Sequence, residues 1–356
     1  MSEKQHIPLI NHIEIIYRMK RFSFLCGITL IVISCTHTKQ STIDTTLQTK
    51  VDSILQNKMS EIGAISGQAI VMEVQTGEIK AMVGNANSQE SGLIRTASLL
   101  AVLETGKVKL SDTVDVGDGV YKVHHRKLLD HNWHRGGYGK LTTLQGLMVN
   151  SHIANYKNIE GAFTEEQAYF DMLDKMNYGQ PKNIEGLDDL KAAHFITPND
   201  SGWNNTSLAW FCIGYNQQIS PIQMLTFYNA IANDGKMVKP TLYKGETEVI
   251  NPQIASKANI DSLQMALVKV VTEGLGKPAQ SEKVQVAGVS GGGQLSTEED
   301  NSEGKVNTIY SVEFCGYFPA DEPKYSIIVS MNKIGLPASG NLMAGSVFKD
   351  IVESIK

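Results

Sequence analysis

The pattern of apolar and polar positions predicts the first regular elements between residues 47 and 83. Apolar side chains recur at helical spacing from Leu47 to Met59, which predicts an α-helix. Two strand-like runs follow, Gln68–Val74 and Glu78–Val83. The link between them, Gln75-Thr76-Gly77, is typical of a hairpin turn because glycine accepts a positive φ. The sequence therefore predicts a helix followed by a β-hairpin.

The rest of the chain is predicted to be helical in its middle and strand-rich near its end. A helix from Arg95 to Glu104 ends at Thr105-Gly106, a glycine stop signal. Residues 107–280 are predicted to be mostly helices and loops. Strands are predicted at Val284–Val289, Thr308–Phe318 and Tyr325–Met331, and a helix with one apolar face at Met343–Ile355.

These elements together predict an α+β fold. Strands from both ends of the chain would form one antiparallel sheet of about five strands, with a mostly helical subdomain packed against it. The 42% of hydrophobic residues in this 356-residue chain is enough for a large core. A domain over residues 42–356 is therefore expected.

The N-terminal segment has the order of an export signal. Arg18, Lys20 and Arg21 precede an apolar stretch, Phe22–Ile33, that is too short to span a bilayer but suits a secretory signal. Cys35 follows Ser34 directly, an arrangement similar to the bacterial lipobox, whose cysteine carries lipid. An ordinary signal peptide or an uncleaved anchor is the alternative.

The predicted organisation follows from that signal. Residues 1–34 would be the signal peptide, with Met19 as a candidate true start, and residues 35–41 a lipidated cysteine with a short tether. The protein would then be lipid-anchored to the cell membrane on its extracytoplasmic, periplasmic face. The membrane would be a partner through that lipid.

Charge and cysteine content exclude some classes of function. The formal net charge is −5, and no long run of Lys and Arg is present, so a nucleic-acid partner is not expected. After processing at Cys35, the cysteines that remain unmodified are Cys212 and Cys315. They could pair, but each lies in an apolar run, which favours buried free thiols.

Several segments in order resemble the transpeptidase domain of penicillin-binding proteins, which has a serine β-lactamase-like fold. The resemblance covers nearly all of residues 42–355. The matching segments are Thr42–Gln48, Val71–Met82, Leu141–Leu147, Ile213–Met224, Ala230–Pro240, Phe314–Asp321 and Val347–Ile351. This many ordered landmarks indicate the fold more strongly than the chemistry.

The resemblance implies serine acyl transfer, in which the serine of a Ser-x-x-Lys motif attacks the substrate amide. Counting back from Leu103-Glu104-Thr105-Gly106 places Gly92 at the serine and Arg95 at the lysine. Glycine has no nucleophile, and arginine has too high a pKa to act as a general base. A register shifted by one residue would offer Ser91 as the nucleophile, but without a base.

The other two motifs are also altered. The Ser-x-Asn position falls at Asn150-Ser151-His152, with Asn150 for the serine and His152 for the asparagine. His152 could accept a proton, although a structural histidine is favoured. At the Lys-Thr-Gly position Val289 replaces the lysine, while Ser290 and Gly291 keep small residues. The sequence thus predicts an inactive site whose cleft survives as a shape, with Ser290 and Gly291 beside the start of the Arg95 helix. The affinity of this cleft for a peptide that ends in a carboxylate is expected to be lost with the lysine.

Two further patterns are interpreted as incidental. Literal Ser-x-x-Lys strings occur at Ser302–Lys305, Ser330–Lys333 and Ser346–Lys349, about as often as chance allows. His124, His125, His131 and His134 form a cluster that no cysteine or carboxylate spacing completes into a familiar zinc site. These histidines are expected to be solvated loop residues, and neither a metal nor a cofactor is implied.

Three functions follow as hypotheses. The first is a non-catalytic transpeptidase relative that binds or scaffolds in peptidoglycan assembly or sensing, with the peptidoglycan stem peptide or cell-wall synthesis proteins as candidate partners. The second is a working serine D,D-transpeptidase or carboxypeptidase with a rewired nucleophile. The third is a β-lactam sensor or β-lactamase-like protein. The loss of all three motifs together favours the first.

Overall fold

The computed structural model describes residues 39–85, 89, 91–300 and 305–355. The chain from Ser41 onward forms a compact unit of its own. The predicted signal segment and Cys35 lie outside the described residues, and so does Ser302. Within the described residues, no helix has the length and apolar character needed to cross a bilayer.

The regular elements follow one another in the order helix, hairpin, mixed middle, three strands and helix. The helices are α1 (Thr45–Ile62), α2 (Ile94–Glu104), α3 (Thr143–Met148), α4 (His152–Ala162), α5 (Glu166–Lys175), α6 (Ser207–Phe211), α7 (Pro221–Ala232), α8 (Lys257–Thr272) and α9 (Ala344–Ser354). The strands are β1 (Ala64–Glu73), β2 (Ile79–Asn85), β3 (Thr113–Gly117), β4 (Val120–Val123), β5 (Arg126–Leu129), β6 (Gly139–Thr142), β7 (His194–Phe195), β8 (Gln217–Gln218), β9 (Met237–Val238), β10 (Val249–Asn251), β11 (Ala287–Asp300), β12 (Lys305–Phe318) and β13 (Tyr325–Ile334).

The main sheet is built from both ends of the chain, as predicted. It has five strands in the order β11-β12-β13-β1-β2, and all its neighbours are antiparallel. Side chains alternate across β1 between two hydrophobic cores: Ile70 and Met72 join one, while Ala69 and Val71 join the other. Helices cover both faces, so β1 is apolar throughout its centre rather than alternating with polar residues.

The two faces of the sheet are covered by different parts of the chain. On one face α1 and α9 pack against each other and against the strands. On the other face lies the helical subdomain, whose α2, α7 and α8 contribute most of their apolar residues to the larger core. This arrangement confirms the predicted α+β class and places the start of α2 against the sheet.

The middle of the chain is mostly helix and loop, as predicted, and it also contains four two-stranded ribbons in the described residues: β3–β6, β4–β5, β7–β8 and β9–β10. The bounds of one predicted strand need correction. β11 begins three residues after the predicted start at Val284 and continues to Asp300, where it pairs with Lys305. The extension is polar and was missed because it takes part through backbone hydrogen bonds with β12, not through an apolar pattern.

Cys212 and Cys315, the cysteines in the described residues, are free and buried, as their apolar surroundings predicted. Burial raises the pKa of each thiol far above its ordinary value. Neither is therefore a reactive thiolate.

Candidate functional site

The start of α2 carries the first motif position. Tyr228 Oη donates to Leu93 O at 2.9 Å and shares a second hydrogen bond, of 2.7 Å, with Thr96 Oγ1, which fixes the first turn of the helix. Gln217 Nε2 donates to Ser91 O at 2.8 Å, just ahead of that turn. Gly92 is thus held rigidly by elements of the helical subdomain.

The expectation that the cleft survives as a shape is wrong at Gly92, because the helix start lies directly against the last motif strand there. A Cβ placed on Gly92 would lie only 2.9 Å from Gly292 O and 3.1 Å from Gly292 N. A Cβ on Gly291 would lie 2.7 Å from Leu93 Cγ, and Leu93 is itself buried. Ser290 and Gly291 do lie beside the helix start, as predicted. The backbone of the strand contacts the backbone at the helix start directly.

Arg95 is buried at the next turn and has few partners. Its side chain is 3% exposed, and Nη2 donates to Ser290 O at a long 3.4 Å. Nε and Nη1 have no hydrogen-bond partner in the structure. Burial lowers the pKa of Arg95 to about 10, so the guanidinium remains charged at neutral pH. The side chain also borders a cavity of about 20 Å³, enough for one water molecule.

The second motif position forms a tight turn ahead of α4. Asn150 has φ of 60°, in the left-handed region, and Ser151 caps the helix by accepting from Ala154 N at 3.0 Å. Ser151 Oγ donates to Asp130 Oδ2 at 2.7 Å, and Asp130 Oδ1 accepts from Ile153 N at 3.1 Å. The buried Asp130 therefore fixes this turn from the segment after β5.

His152 is tied to the backbone of that same segment. Its Nδ1 lies 2.9 Å from Leu129 O, so Nδ1 carries the proton and donates. Burial, and then the charge of Arg95, lower the pKa of His152 to about 3. The imidazole is neutral at physiological pH and acts as a structural donor at Nδ1.

The third motif position lies in the edge strand β11. Val289 is 3% exposed and belongs to the larger hydrophobic core. Ser290 is buried as well, and its carbonyl receives the single hydrogen bond from Arg95. The strand thus contributes packing here, with no cation from its own side chains.

A buried polar network lies behind Ser91, and sequence reasoning did not find it. Ser91 Oγ donates to Glu313 Oε2 at 2.6 Å, and Gln89 Nε2 donates to Glu313 Oε1 at 3.2 Å. Asn332 Nδ2 and Ser330 Oγ extend the network. Burial raises the pKa of Glu313, against the hydrogen bonds from Ser91 and Gln89 and the charge of Arg95.

Glu313 corrects the expectation that Ser91 has no base nearby. A carboxylate with a raised pKa within hydrogen-bond distance of a hydroxyl is a chemically possible base. Yet Ser91 is 4% exposed and Glu313 2% exposed, so no substrate reaches the pair in this conformation. The available sequence signal was Glu313 itself, a charged residue between Val312 and Phe314 in a predicted strand.

The comparisons with known proteins address the fold of this site. A sequence model of the penicillin binding protein transpeptidase domain matches residues 67–353. This chain belongs to the penicillin-binding protein transpeptidase family. The matched range includes the residues assigned to the three motifs and both strands of the Ser91 network.

Curated relatives are distant and longer. Penicillin-binding protein PbpB of Mycolicibacterium smegmatis is 24% identical, over 85% of this chain and 52% of its own length. The probable peptidoglycan D,D-transpeptidase PbpC of Pseudomonas aeruginosa is 23% identical, over 87% of this chain and 57% of its own length. The chain thus spans about half the length of the curated relatives it matches.

Solved structures support the same fold. The transpeptidase domain of Burkholderia pseudomallei penicillin-binding protein 3 superposes with a TM-score of 0.74 at 21% identity, covering 89% of this chain and 95% of that one. A peptidoglycan glycosyltransferase from Burkholderia ambifaria gives a TM-score of 0.74 at 21% identity, covering 88% of this chain and 96% of that one. The recognition of the family from its landmarks is confirmed.

The described residues offer no metal centre. No three side chains of His, Cys, Asp and Glu come together there as ligands. His131 Nε2 instead shares a hydrogen bond of 2.8 Å with Tyr138 Oη, and His124, His125 and His134 are exposed.

The literal Ser-x-x-Lys strings that fall in the described residues have other roles. Ser330 belongs to the Glu313 network, while Lys333 Nζ donates to the carbonyls of Ile334 and Gly335. Ser346 Oγ donates to Met343 O at 2.9 Å in the first turn of α9. Neither string forms a Ser–Lys hydrogen bond.

Proposed function

We propose that this chain is a non-catalytic, lipid-anchored member of the transpeptidase family that acts in peptidoglycan assembly or sensing as a binding or scaffold protein. It would lie on the extracytoplasmic face of the membrane. Its relatives' names place them in peptidoglycan chemistry, and the family membership supports the same setting for this chain.

The contact between Gly92 and Gly292 carries the proposal. Acyl transfer needs a nucleophile, a base and room for the substrate between helix and strand. The nucleophile position is a glycine, the base position holds a guanidinium, and the Cβ position at Gly92 is already 2.9 Å from Gly292 O. These three observations at the start of α2 support a non-catalytic role.

A working serine hydrolase or transpeptidase is the second candidate, because Ser91 donates to Glu313 at 2.6 Å. Against it, Gln217 binds the Ser91 carbonyl, and a Cβ on Gly214 would lie 2.6 Å from that carbonyl oxygen. Ser91 is thus enclosed from two sides. A β-lactam sensor or β-lactamase-like protein would need the same nucleophile and meets the same obstacle.

Incubation with a fluorescent penicillin is expected to leave the protein unlabelled. Loss of the nucleophile in another serine acyl-enzyme lowers the rate about a million-fold. The measurement is in-gel fluorescence together with the intact mass, using an active penicillin-binding protein as positive control. An adduct that disappears in Ser91→Ala would instead establish the enzyme hypothesis.

The lipid anchor has a separate test. Cys35→Ala is expected to release the protein from membranes, because the lipid would be attached to that thiol and the apolar stretch ahead of it is short. Membrane fractionation with an N-terminal mass measurement checks this, and Cys26→Ala is the matched control. Full membrane retention of Cys35→Ala with an uncleaved N-terminus would show a plain signal anchor.

A further inference from the structure

An exposed cationic surface lies on the β4–β5 hairpin and the loop after it. We call it the basic hairpin surface. Its members are Lys122, His124, His125, Arg126, Lys127, Trp133, His134 and Arg135, and all of them are exposed. The one acidic residue between positions 119 and 159, Asp130, is buried under the hairpin. The protein as a whole is acidic, at −5, so positive charge is concentrated here.

The hairpin places like charges opposite each other. Lys122 pairs with Lys127 across β4 and β5, on the same face of the ribbon. Directly opposed like charges destabilise a strand pair, whereas the neighbouring ribbon sets Asp115 opposite Lys140. None of Lys122, Arg126, Lys127 and Arg135 has an ion-pair partner in the described residues. Folding therefore leaves these cations unneutralised.

Aromatic groups accompany the cations. Trp133 is 49% exposed, and its ring meets that of His134 edge-on at 6.1 Å. The Arg126 guanidinium carbon lies 5.6 Å from the centroid of the Trp210 ring, which holds the side chain over a fixed platform. An open indole face beside fixed cations suits a ligand with flat apolar sugar faces and negative charges.

The surface is fixed to the second motif turn. Leu129 O, at the end of β5, accepts from His152 Nδ1, and the adjacent Asp130 caps the turn at Ser151. Trp133 packs at the base of the hairpin, since a Cβ on Gly119 would lie 2.9 Å from Trp133 Cα. Hairpin, loop and motif turn are therefore joined by direct contacts. Asp118 is the nearby exposed carboxylate, and its Oδ1 already accepts from Val120 N.

We propose that the basic hairpin surface binds the carboxylate-bearing glycan strands of peptidoglycan. The cations would bind the carboxylates of stem peptides, and Trp133 would stack on a sugar ring. This inference rests on the proposed function, since it identifies what a binding protein whose groove is closed at Gly92 would hold. It places the contact outside the closed groove at Gly92.

The test is co-sedimentation of the full-length chain, in detergent, with purified peptidoglycan sacculi. Lys122→Gln/Arg126→Gln/Lys127→Gln is expected to weaken binding about tenfold, because each exposed charge contact is modest and three are removed. Trp133→Ala should weaken binding as well. Lys182→Gln/Lys191→Gln/Lys244→Gln removes the same charge from exposed lysines elsewhere and should bind like wild type. Each variant is first checked for a cooperative unfolding transition, because removal of the opposed lysines alters the stability of the hairpin itself.

The ligand can be changed as well as the protein. Sacculi with amidated carboxyl groups should not bind, and wild-type binding should fall as ionic strength rises from about 0.01 M to about 0.1 M, which shortens the screening length from about 30 Å to about 10 Å. Equal losses in both triple variants, no loss in the hairpin variant, or stronger binding to phosphatidylglycerol vesicles would overturn the inference. Penicillin labelling of the same preparations is an independent readout, so an adduct would refute the proposed function alone.

Discussion

Gly92→Ser/Arg95→Lys restores the residue types of the first motif and is still expected to form no penicillin adduct. The added Cβ at position 92 would lie 2.9 Å from Gly292 O before the hydroxyl is placed. Relief of that contact requires a shift of strand β11 or helix α2, an overpacking that costs on the order of 1–3 kcal/mol of unfolding free energy. Val289 remains in the core, so the third motif still lacks its cation.

The matched control for this variant is Gly92→Ala/Arg95→Lys. It adds the same Cβ without a hydroxyl and should lose the same stability in urea unfolding. Intact mass after incubation with penicillin is the readout for both. An adduct in the serine variant that is missing from the alanine variant would show that the helix and the strand separate in solution.

Acid is expected to destabilise the protein through His152. Its pKa is about 3 in the folded protein and ordinarily 6.5, so the unfolded chain binds more protons between these values. The contribution of His152 to stability is therefore complete above about pH 6.5 and falls as pH drops toward about 3. One pKa unit corresponds to about 1.4 kcal/mol of unfolding free energy. Because the imidazole is partly exposed, the stability lost should be smaller than the whole pKa shift would give, on the order of 2–3 kcal/mol.

The measurement is the unfolding free energy of wild type and His152→Asn from about pH 4 to about pH 7. The asparagine amide can keep the donor to Leu129 O but cannot titrate, so the difference between the two curves isolates the imidazole. Glu313, whose raised pKa works in the opposite direction, is present in both proteins and cancels. In Arg95→Met the pH range over which stability is lost should be narrower, because the Arg95 charge helps to lower the pKa of His152. Parallel curves for wild type and His152→Asn would contradict this account.

The fold was predictable because its strongest signals are local. The apolar centre of β1, the turn at Gly77 and the apolar face of α9 each follow from short-range patterns. The paired ribbons in the middle were not predictable, because strands of two to five residues carry too little periodicity. The extension of β11 to Asp300 forms by pairing with β12, and its sequence has no apolar pattern that would predict a strand.

The sequence allowed positions to be assigned to the motifs, but it did not allow the contacts of those residues to be predicted. Gly92 and Arg95 could be placed by counting from the Thr105-Gly106 helix end, because helical registry is fixed. The Ser91–Glu313 hydrogen bond joins residues 222 positions apart and depends on how the start of α2 meets β12. Such a distance is set by tertiary packing, which no spacing in the sequence encodes.

The glycines around the helix start constrain how this protein can change by mutation. Ideal Cβ atoms at Gly92, Gly214, Gly291 and Gly340 would each approach a neighbouring atom within 3 Å, often a backbone atom. A side chain introduced at position 92 alone therefore meets a steric barrier before it can act as a nucleophile. The surrounding backbone would have to move first. The effect of a substitution at Gly92 thus depends on which residues occupy the neighbouring glycine positions.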